Sequence, residues 1–249
     1  MIKSLFVRKS QGTQYLPDLR AANPVGFRGK PLIGETACGD ACAACLTVCP
    51  SRAITLDPVQ IDMGRCVLCG DCESVCSREK LSFNNDFKLA ASTRDGLTLS
   101  SAHPDIDPVK VSEALRKRFG RSLKLRSVSA GGCNGCEMEI NALSNVNFDL
   151  GRYGIDIVAS PRHADGLVLS GPISRNMADA LQIAWSAIPE PKLVIAVGAC
   201  AISGGIFAEC DEVDRRFLDE FKPALYVPGC PAHPLAFIGG ILDLLGIKD

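Results

Sequence analysis

One stretch constrains this chain more than any other: Gly131-Gly132-Cys133-Asn134-Gly135-Cys136-Glu137. It follows an apolar run predicted as a strand (Leu123–Val128) and opens a run predicted as a helix (Glu137–Leu143). Two cysteines at this spacing can serve one metal centre from a single turn. Cys200, in VGACAISGG, and Cys230, in VPGCPAHP, each follow a short apolar run, Leu193–Val197 and Ala224–Val227. If these runs are parallel strands, all four thiols gather at one carboxyl edge of one sheet, where open α/β sheets place their ligands. The neighbouring glycines let main-chain N–H groups approach sulfur. These residues point to a four-cysteine iron–sulfur site.

Cysteine supplies the other strong signal. The chain has 13 of them, with 47% apolar and 22% charged residues, the balance of a folded protein. The expectation is no signal peptide, since Met1-Ile2-Lys3 leads into only a short apolar run, and clustered CxxC spacings then favour metal over disulfides. Cys38-x3-Cys42-x2-Cys45-x3-Cys49-Pro50 and Cys66-x2-Cys69-x2-Cys72-x3-Cys76 form two blocks. This repeat matches the two-cluster bacterial ferredoxin pattern, in which three close cysteines hold one cluster and the fourth ligates the other. By that rule Cys38, Cys42, Cys45 and Cys76 hold one [4Fe–4S] cluster, and Cys66, Cys69, Cys72 and Cys49 hold a second. Two details depart from the pattern: three residues rather than two follow Cys38, and Ser77 stands where proline is usual. A pair of zinc knuckles is the alternative, though zinc sites usually separate two cysteine pairs by a longer loop.

The organisation expected from N- to C-terminus is a basic arm (1–35), a small α+β ferredoxin-like domain (36–88), a linker with a helix (89–122) and an α/β domain (123–249). Residues 1–30 carry six bases, Lys3, Arg8, Lys9, Arg20, Arg28 and Lys30, against Asp18 alone. Such an arm suits an anionic membrane surface or a partner subunit, or packs locally as a solvated tail. Net charge is −1, which gives no argument for nucleic acid. The uncharged run Pro223–Leu242 holds four prolines and is too broken to span a membrane, so a soluble or peripheral protein is expected.

In the linker, Val109–Phe119 is predicted as a helix with a basic end, Arg116-Lys117-Arg118. Beyond it, strands are predicted at Leu123–Val128, Ile155–Ala159, Leu167–Ser170, Leu193–Val197 and Ala224–Val227. Helices are predicted at Glu137–Leu143, Ser174–Ile188, capped by Ser174, and Pro234–Leu245, stopped by Gly246. This alternation implies a parallel three-layer sheet. Neither a dinucleotide fingerprint nor a P-loop occurs.

GGCNGCE, Ser160–Asp165 (SPRHAD), Gly171–Leu181 (GPISRNMADAL), Pro189–Lys192 (PEPK), VGACAISGG and VPGCPAHP together resemble the small subunit of [NiFe] hydrogenases. The resemblance is to the membrane-bound, energy-converting branch that includes formate hydrogenlyase. The same motifs are similar to the cluster-bearing connecting subunit of respiratory complex I, which has adjacent cysteines where this chain has Cys133 and Cys136 two residues apart. Residues 1–90, with Gly26–Pro31 before the clusters, resemble the ferredoxin-like subunit of the same complexes.

The resemblance implies a flavodoxin-like sheet and a proximal [4Fe–4S] cluster on Cys133, Cys136, Cys200 and Cys230. Three [4Fe–4S] clusters would then form an electron wire on a subunit with no catalytic site of its own. Its partners would be a [NiFe] hydrogenase-like large subunit and other hydrophilic and membrane subunits, at the inner face of the cell membrane. Glu137 is then a hydrogen-bond or proton partner at the interface, or simply a first-turn acid. Arg162 and His163 line that interface or form the polar tip of a turn. His233 is a hydrogen-bond donor to cluster sulfur, or a substitute ligand for Cys230. Cys210 is left as a spare thiol. The same subunit in a nickel-free quinone-reducing complex, a zinc adaptor and a free electron shuttle remain as competing readings.

Overall fold

In the computed structural model, residues 2–12, 16–39, 42–120 and 122–247 are described. The basic arm opens with a helix, α1 (Ile2–Gln11), which leaves Leu5, Phe6 and Val7 exposed. The Arg8 side chain lies outside the described residues. From Leu16 onward the arm packs onto the body: Leu19 is buried, and Arg20 pairs with Asp243 at 2.6 Å. β1 (Pro31–Ile33) then begins a small α+β unit containing α2 (Ala44–Val48), β2 (Ile54–Thr55), β3 (Gln60–Asp62), α3 (Asp71–Ser74), β4 (Leu81–Phe83) and β5 (Thr98–Ser100).

Two antiparallel sheets frame that unit. β1 pairs with β4, so the end of the arm supplies the partner of the strand that closes the cysteine-rich segment. β2, β3 and β5 form the other sheet, with Ile61 opposite Leu99 and both fully buried. β5, with its buried Leu99 and the buried Leu97 just before it, lies in the stretch expected as linker, so the α+β unit extends further along the chain than its cysteines do. The helix that follows, α4 (Glu113–Phe119), starts four residues later than the apolar spacing suggests. The Ser112 hydroxyl accepts the Leu115 N–H and fixes the start there, leaving Val109 and Val111 outside.

The C-terminal half holds β6 (Leu123–Ser129), α5 (Gly135–Ala142), β7 (Ile155–Ile157), β8 (Gly166–Ser170), α6 (Arg175–Ser186), β9 (Leu193–Val197), α7 (Gly198–Ser203), α8 (Arg216–Glu220), β10 (Leu225–Val227) and α9 (Pro234–Leu245). The five strands are parallel in the order β10-β9-β8-β6-β7. Numbered within the sheet this is the 2-1-3-4-5 order of the flavodoxin-like fold, whose switch point lies between its first and third strands, here β6 and β8. β8 and β9 are buried along their whole length, as uninterrupted Leu/Val/Ile runs between two helical layers should be.

α9 is apolar nearly all round and is buried accordingly; Phe237 alone contributes about 1.5–3 kcal/mol of apolar burial. Gly246 ends it in the left-handed region. Ser174 does stand at the start of α6, but its hydroxyl makes no cap bond there. Trp185 sits in the core, edge-on to Phe217 at 5.9 Å. The two halves share one apolar core. Ile61, Met63 and Leu99 pack in the same cluster as Leu167, Leu169, Val194 and Ala196, and Ala91 exchanges both main-chain hydrogen bonds with Tyr226.

Candidate metal centres

All thirteen cysteines are free thiols. In the α+β unit the fold gathers eight of them into two neighbouring groups. Cys38, Cys42, Cys45 and Cys76 line one small cavity, walled by Val59 and Leu81. Cys49, Cys66, Cys69 and Cys72 line another, walled by Ile54, Ile61 and Phe83. Each group takes three cysteines from one block and its fourth from the other. Cys45 and Cys72 lie close enough to influence each other electrostatically, so the two cavities adjoin.

Main-chain N–H groups already point at the sulfurs. Ala53 donates to Cys49 Sγ at 3.2 Å, Leu68 to Cys66 Sγ at 3.4 Å and Lys80 to Cys76 Sγ at 3.3 Å. Burial pushes the Cys66 thiol up to about 12 and Cys72 to about 11. At Cys76 burial acts the same way, but N–H donation from Leu81, Lys80 and Arg78 outweighs it and leaves the thiol below its ordinary value. Arg28, a base of the arm, reaches over to donate to the carbonyls of Leu68 and Cys69. It thereby ties the arm to the loop that carries the second group.

The third group stands at the sheet's switch point. After β6 the chain turns through Gly131 and Gly132, and Asn134 adopts a left-handed conformation that Asn tolerates. Cys133 and Cys136 thus fall on either side of the start of α5. Cys200 lies in α7 beyond β9, and Cys230 in the turn beyond β10. The four are mutually within electrostatic reach: Cys136 with Cys200 and Cys230, and Cys133 with those same two. Burial pushes Cys136 up to about 12 and Cys200 up to about 11. Gly198 adopts φ +87°, and a Cβ there would stand 2.5 Å from Cys136 Sγ. Only glycine leaves that sulfur its place.

This all-thiol donor set fits iron–sulfur centres. Soft thiols suit iron–sulfur centres, and buried thiols with raised values deprotonate only when a positive centre replaces their protons. Among the described residues no three His, Cys, Asp or Glu side chains converge tightly enough for a single ion.

The other predicted site residues fall in varied places. Glu137 accepts a hydrogen bond from the buried Ser170 hydroxyl at 2.8 Å and lies within electrostatic reach of Cys136 and Cys200. Arg162 and His163 are exposed on a 3-10 turn after the edge strand β7. His233 caps α9: its Nδ1 accepts the Leu235 N–H at 3.1 Å, and its ring packs on Phe27 at 4.6 Å, with Phe87 and Phe148 beyond. Cys210 is exposed and lies apart from the two cavities.

Two features went unread in the sequence. Ile173 is β-branched yet has φ +66°, a conformation that costs about 1–3 kcal/mol, in the turn beside the third group. Arg215 donates to the carbonyls of Pro172, Cys200, Ala201 and Ile202. Nothing in the DRR run distinguishes it from an exposed base.

Residues 133–244, which contain the third group, match the family described as NADH ubiquinone oxidoreductase, 20 Kd subunit. Formate hydrogenlyase subunit 7 of Escherichia coli is 43% identical over 55% of this chain and 53% of its own length. The probable membrane-bound hydrogenase subunit mbhJ of Pyrococcus furiosus is 39% identical over 51% of this chain and 77% of its own. The chain belongs to this family. An NADH-quinone oxidoreductase subunit from Geotalea daltonii is 42% identical over 44% of this chain and 64% of its own, so relatives of the hydrogenase and complex I types are similarly near. The chain is thus similar to subunits of both the hydrogenase type and the complex I type, and it spans about half the length of the formate hydrogenlyase relative. None of its described helices is long and apolar enough to cross a membrane.

Proposed function

We propose that this chain carries three [4Fe–4S] clusters as the electron-transfer subunit of a membrane-associated [NiFe] hydrogenase complex of the formate hydrogenlyase type. It passes electrons to or from a nickel–iron site on a partner large subunit and lies peripherally at the inner membrane face through its partners. When bound, the clusters supply reversible one-electron chemistry. The chain's own residues set their order and their cover. Cys38, Cys42, Cys45 and Cys76 hold the first, Cys49, Cys66, Cys69 and Cys72 the second, and Cys133, Cys136, Cys200 and Cys230 the third.

The observation that carries this reading is the apolar surface left open beside the third group. Cys133 and Cys230 are exposed, and the neighbouring Met138, Ile206 and Phe207 put apolar side chains into solvent. Such a mouth suits a partner that closes over the proximal cluster. The order of the wire follows from packing. The first two cavities adjoin, and Gly64, two residues before Cys66, packs so closely on Ile202, two residues after Cys200, that a Cβ on it would stand 2.8 Å away. That contact supports an order in which the second centre neighbours the third.

The 42% identity to an NADH-quinone oxidoreductase subunit favours a second reading, the same wire in a nickel-free complex that reduces a quinone or other carrier. Metal content of the complex purified with its native partners separates the two. About twelve irons on this chain, with nickel on a partner, support the hydrogenase. The same iron without nickel supports the second reading, and zinc in place of iron overturns both.

A further inference from the structure

We propose that Arg215 is the fixed cation of the third centre: it ties the Cys200 helix to the Gly171–Ser174 turn and favours the reduced state of a cluster held by Cys133, Cys136, Cys200 and Cys230. The inference rests on the reading of those cysteines as ligands.

The geometry is unusual for an arginine. Its four hydrogen bonds all end on main-chain carbonyls: Pro172 and Cys200 at 3.2 Å through Nη1, and Ala201 at 2.7 Å and Ile202 at 2.8 Å through Nη2. Three of these acceptors belong to α7, which carries Cys200. The fourth belongs to the turn that holds Ile173 in its strained conformation and faces the Gly131–Gly132 loop across the switch point. One planar fork thus sets two of the segments that frame the third centre, a task for which a planar five-donor group is suited and a point charge is not.

Its charge has no close partner. Among the described residues no carboxylate stands within ion-pair distance: Asp214 pairs with Arg216, and Asp219 is exposed beside Lys222. The charges that act on Arg215 from beyond ion-pair distance are first Asp219, then Arg94, itself paired with Asp62, and the Cys200 sulfur. Burial accordingly draws the guanidinium below its ordinary value. Removing a cation from water without a paired counter-charge is costly, and four thiolates around an iron–sulfur core would add to the negative charge that Asp219 supplies from a distance. Glu137 stands within electrostatic reach of the same Cys200 as the opposing negative charge.

The redox consequence follows from electrostatics. A cluster held by Cys133, Cys136, Cys200 and Cys230 would take up one electron from a neighbouring centre, or give one back, with no bond formed or broken. The group already carries net negative charge from its thiolates, so each added electron is favoured by a nearby fixed cation.

The test uses the whole complex with Arg215→Lys, Arg215→Gln and Arg215→Met, read by iron content and by a potentiometric titration of the third cluster's electron paramagnetic resonance signal. A wild-type complex without a third cluster signal would overturn the underlying reading before any variant is made. With that signal present, the expected result is a more negative midpoint potential in the Gln and Met variants, a smaller shift in the Lys variant, and no shift in the other two clusters. Unshifted potentials in Gln and Met, or a Lys shift as large as theirs, overturn the proposal. If the neutral variants lose the third cluster, its retention in the Lys variant supports the cation. Equal loss in the Lys variant means that shape and not charge is required, and overturns it.

Discussion

Eight thiols between residues 38 and 76 are brought together by short loops, whereas the four at 133, 136, 200 and 230 are brought together by a sheet. In the first region Cys45 and Cys72 are buried while Cys38, Cys42 and Cys69 are exposed, and the chain points its own N–H groups at Cys49, Cys66 and Cys76 from two to four residues away. In the second, three separate crossovers deliver cysteines to the ends of β6, β9 and β10, and two of the four remain exposed. Local spacing makes sites that are interleaved, the group of Cys49, Cys66, Cys69 and Cys72 being the more enclosed of the two. Topology makes one that is open on a side and anchored by parts far apart in sequence. The first arrangement depends on short loops alone, and the second on the whole parallel sheet being in place.

Interleaving and independence can be told apart by mutation. Cys49 lies one helical turn after Cys45 in the α2 segment but belongs to the other group, so Cys49→Ala should disturb both early centres and remove about eight of roughly twelve irons. Gly198→Ala should remove only about four, because its Cβ would strike Cys136 Sγ at 2.5 Å in a backbone conformation that L-residues pay about 1–2 kcal/mol to adopt. Iron and acid-labile sulfide per chain measure both. Loss of all clusters in Gly198→Ala would break the comparison, since the two regions would then stand or fall together.

Much of this arrangement was legible in the sequence. The five parallel strands could be placed because runs such as Leu193–Val197 have no polar residue to spare, and Pro234–Leu245 matched its helix end to end because Pro and Gly bracket it. The grouping of cysteines followed from spacing in the first region and from recurring strand–glycine–cysteine contexts in the second. What stayed hidden depends on distant partners. β5 is a strand because Ile61 offers Leu99 a partner, α4 starts late because Ser112 competes with the apolar spacing, and Arg215 matters only once α7 and the Pro172 turn lie on either side of it.

The joint between the regions is partly built on His233, and its chemistry gives a pH-dependent effect. Burial holds the imidazole below its ordinary value, so the neutral ring accepts the Leu235 N–H while packing on Phe27 of the arm. A base with a depressed folded value contributes stability that is fully present above its unfolded value of about 6.5 and is lost as pH falls through the folded one. Denaturant unfolding should therefore show an acid limb below about pH 6.5 that is reduced in His233→Asn, which keeps a capping acceptor. His233→Ala should cost about 1 kcal/mol at pH 8. Superimposable limbs in wild type and His233→Asn would mean that the arm and the C-terminal half are joined without help from this ring.

The smallest effect belongs to an ion pair between the regions, Arg52 with Glu209, both side chains about two-thirds exposed. Arg52 follows the first cysteine block and Glu209 adjoins the loop beyond Cys200, so the pair looks like a clasp between the second and third centres. Energetically it should be slight. Water screens exposed charges, and ordering two long side chains offsets most of the attraction, leaving about 0.2–1 kcal/mol. A double-mutant cycle with Arg52→Ala and Glu209→Ala should give a coupling in that range that fades as salt rises. The buried contact of Gly64 with Ile202 and the Ala91–Tyr226 bridge would then carry the joint. A coupling well above that range, persisting in high salt, would instead assign the hold between the enclosed and the open centre to charge rather than to packing.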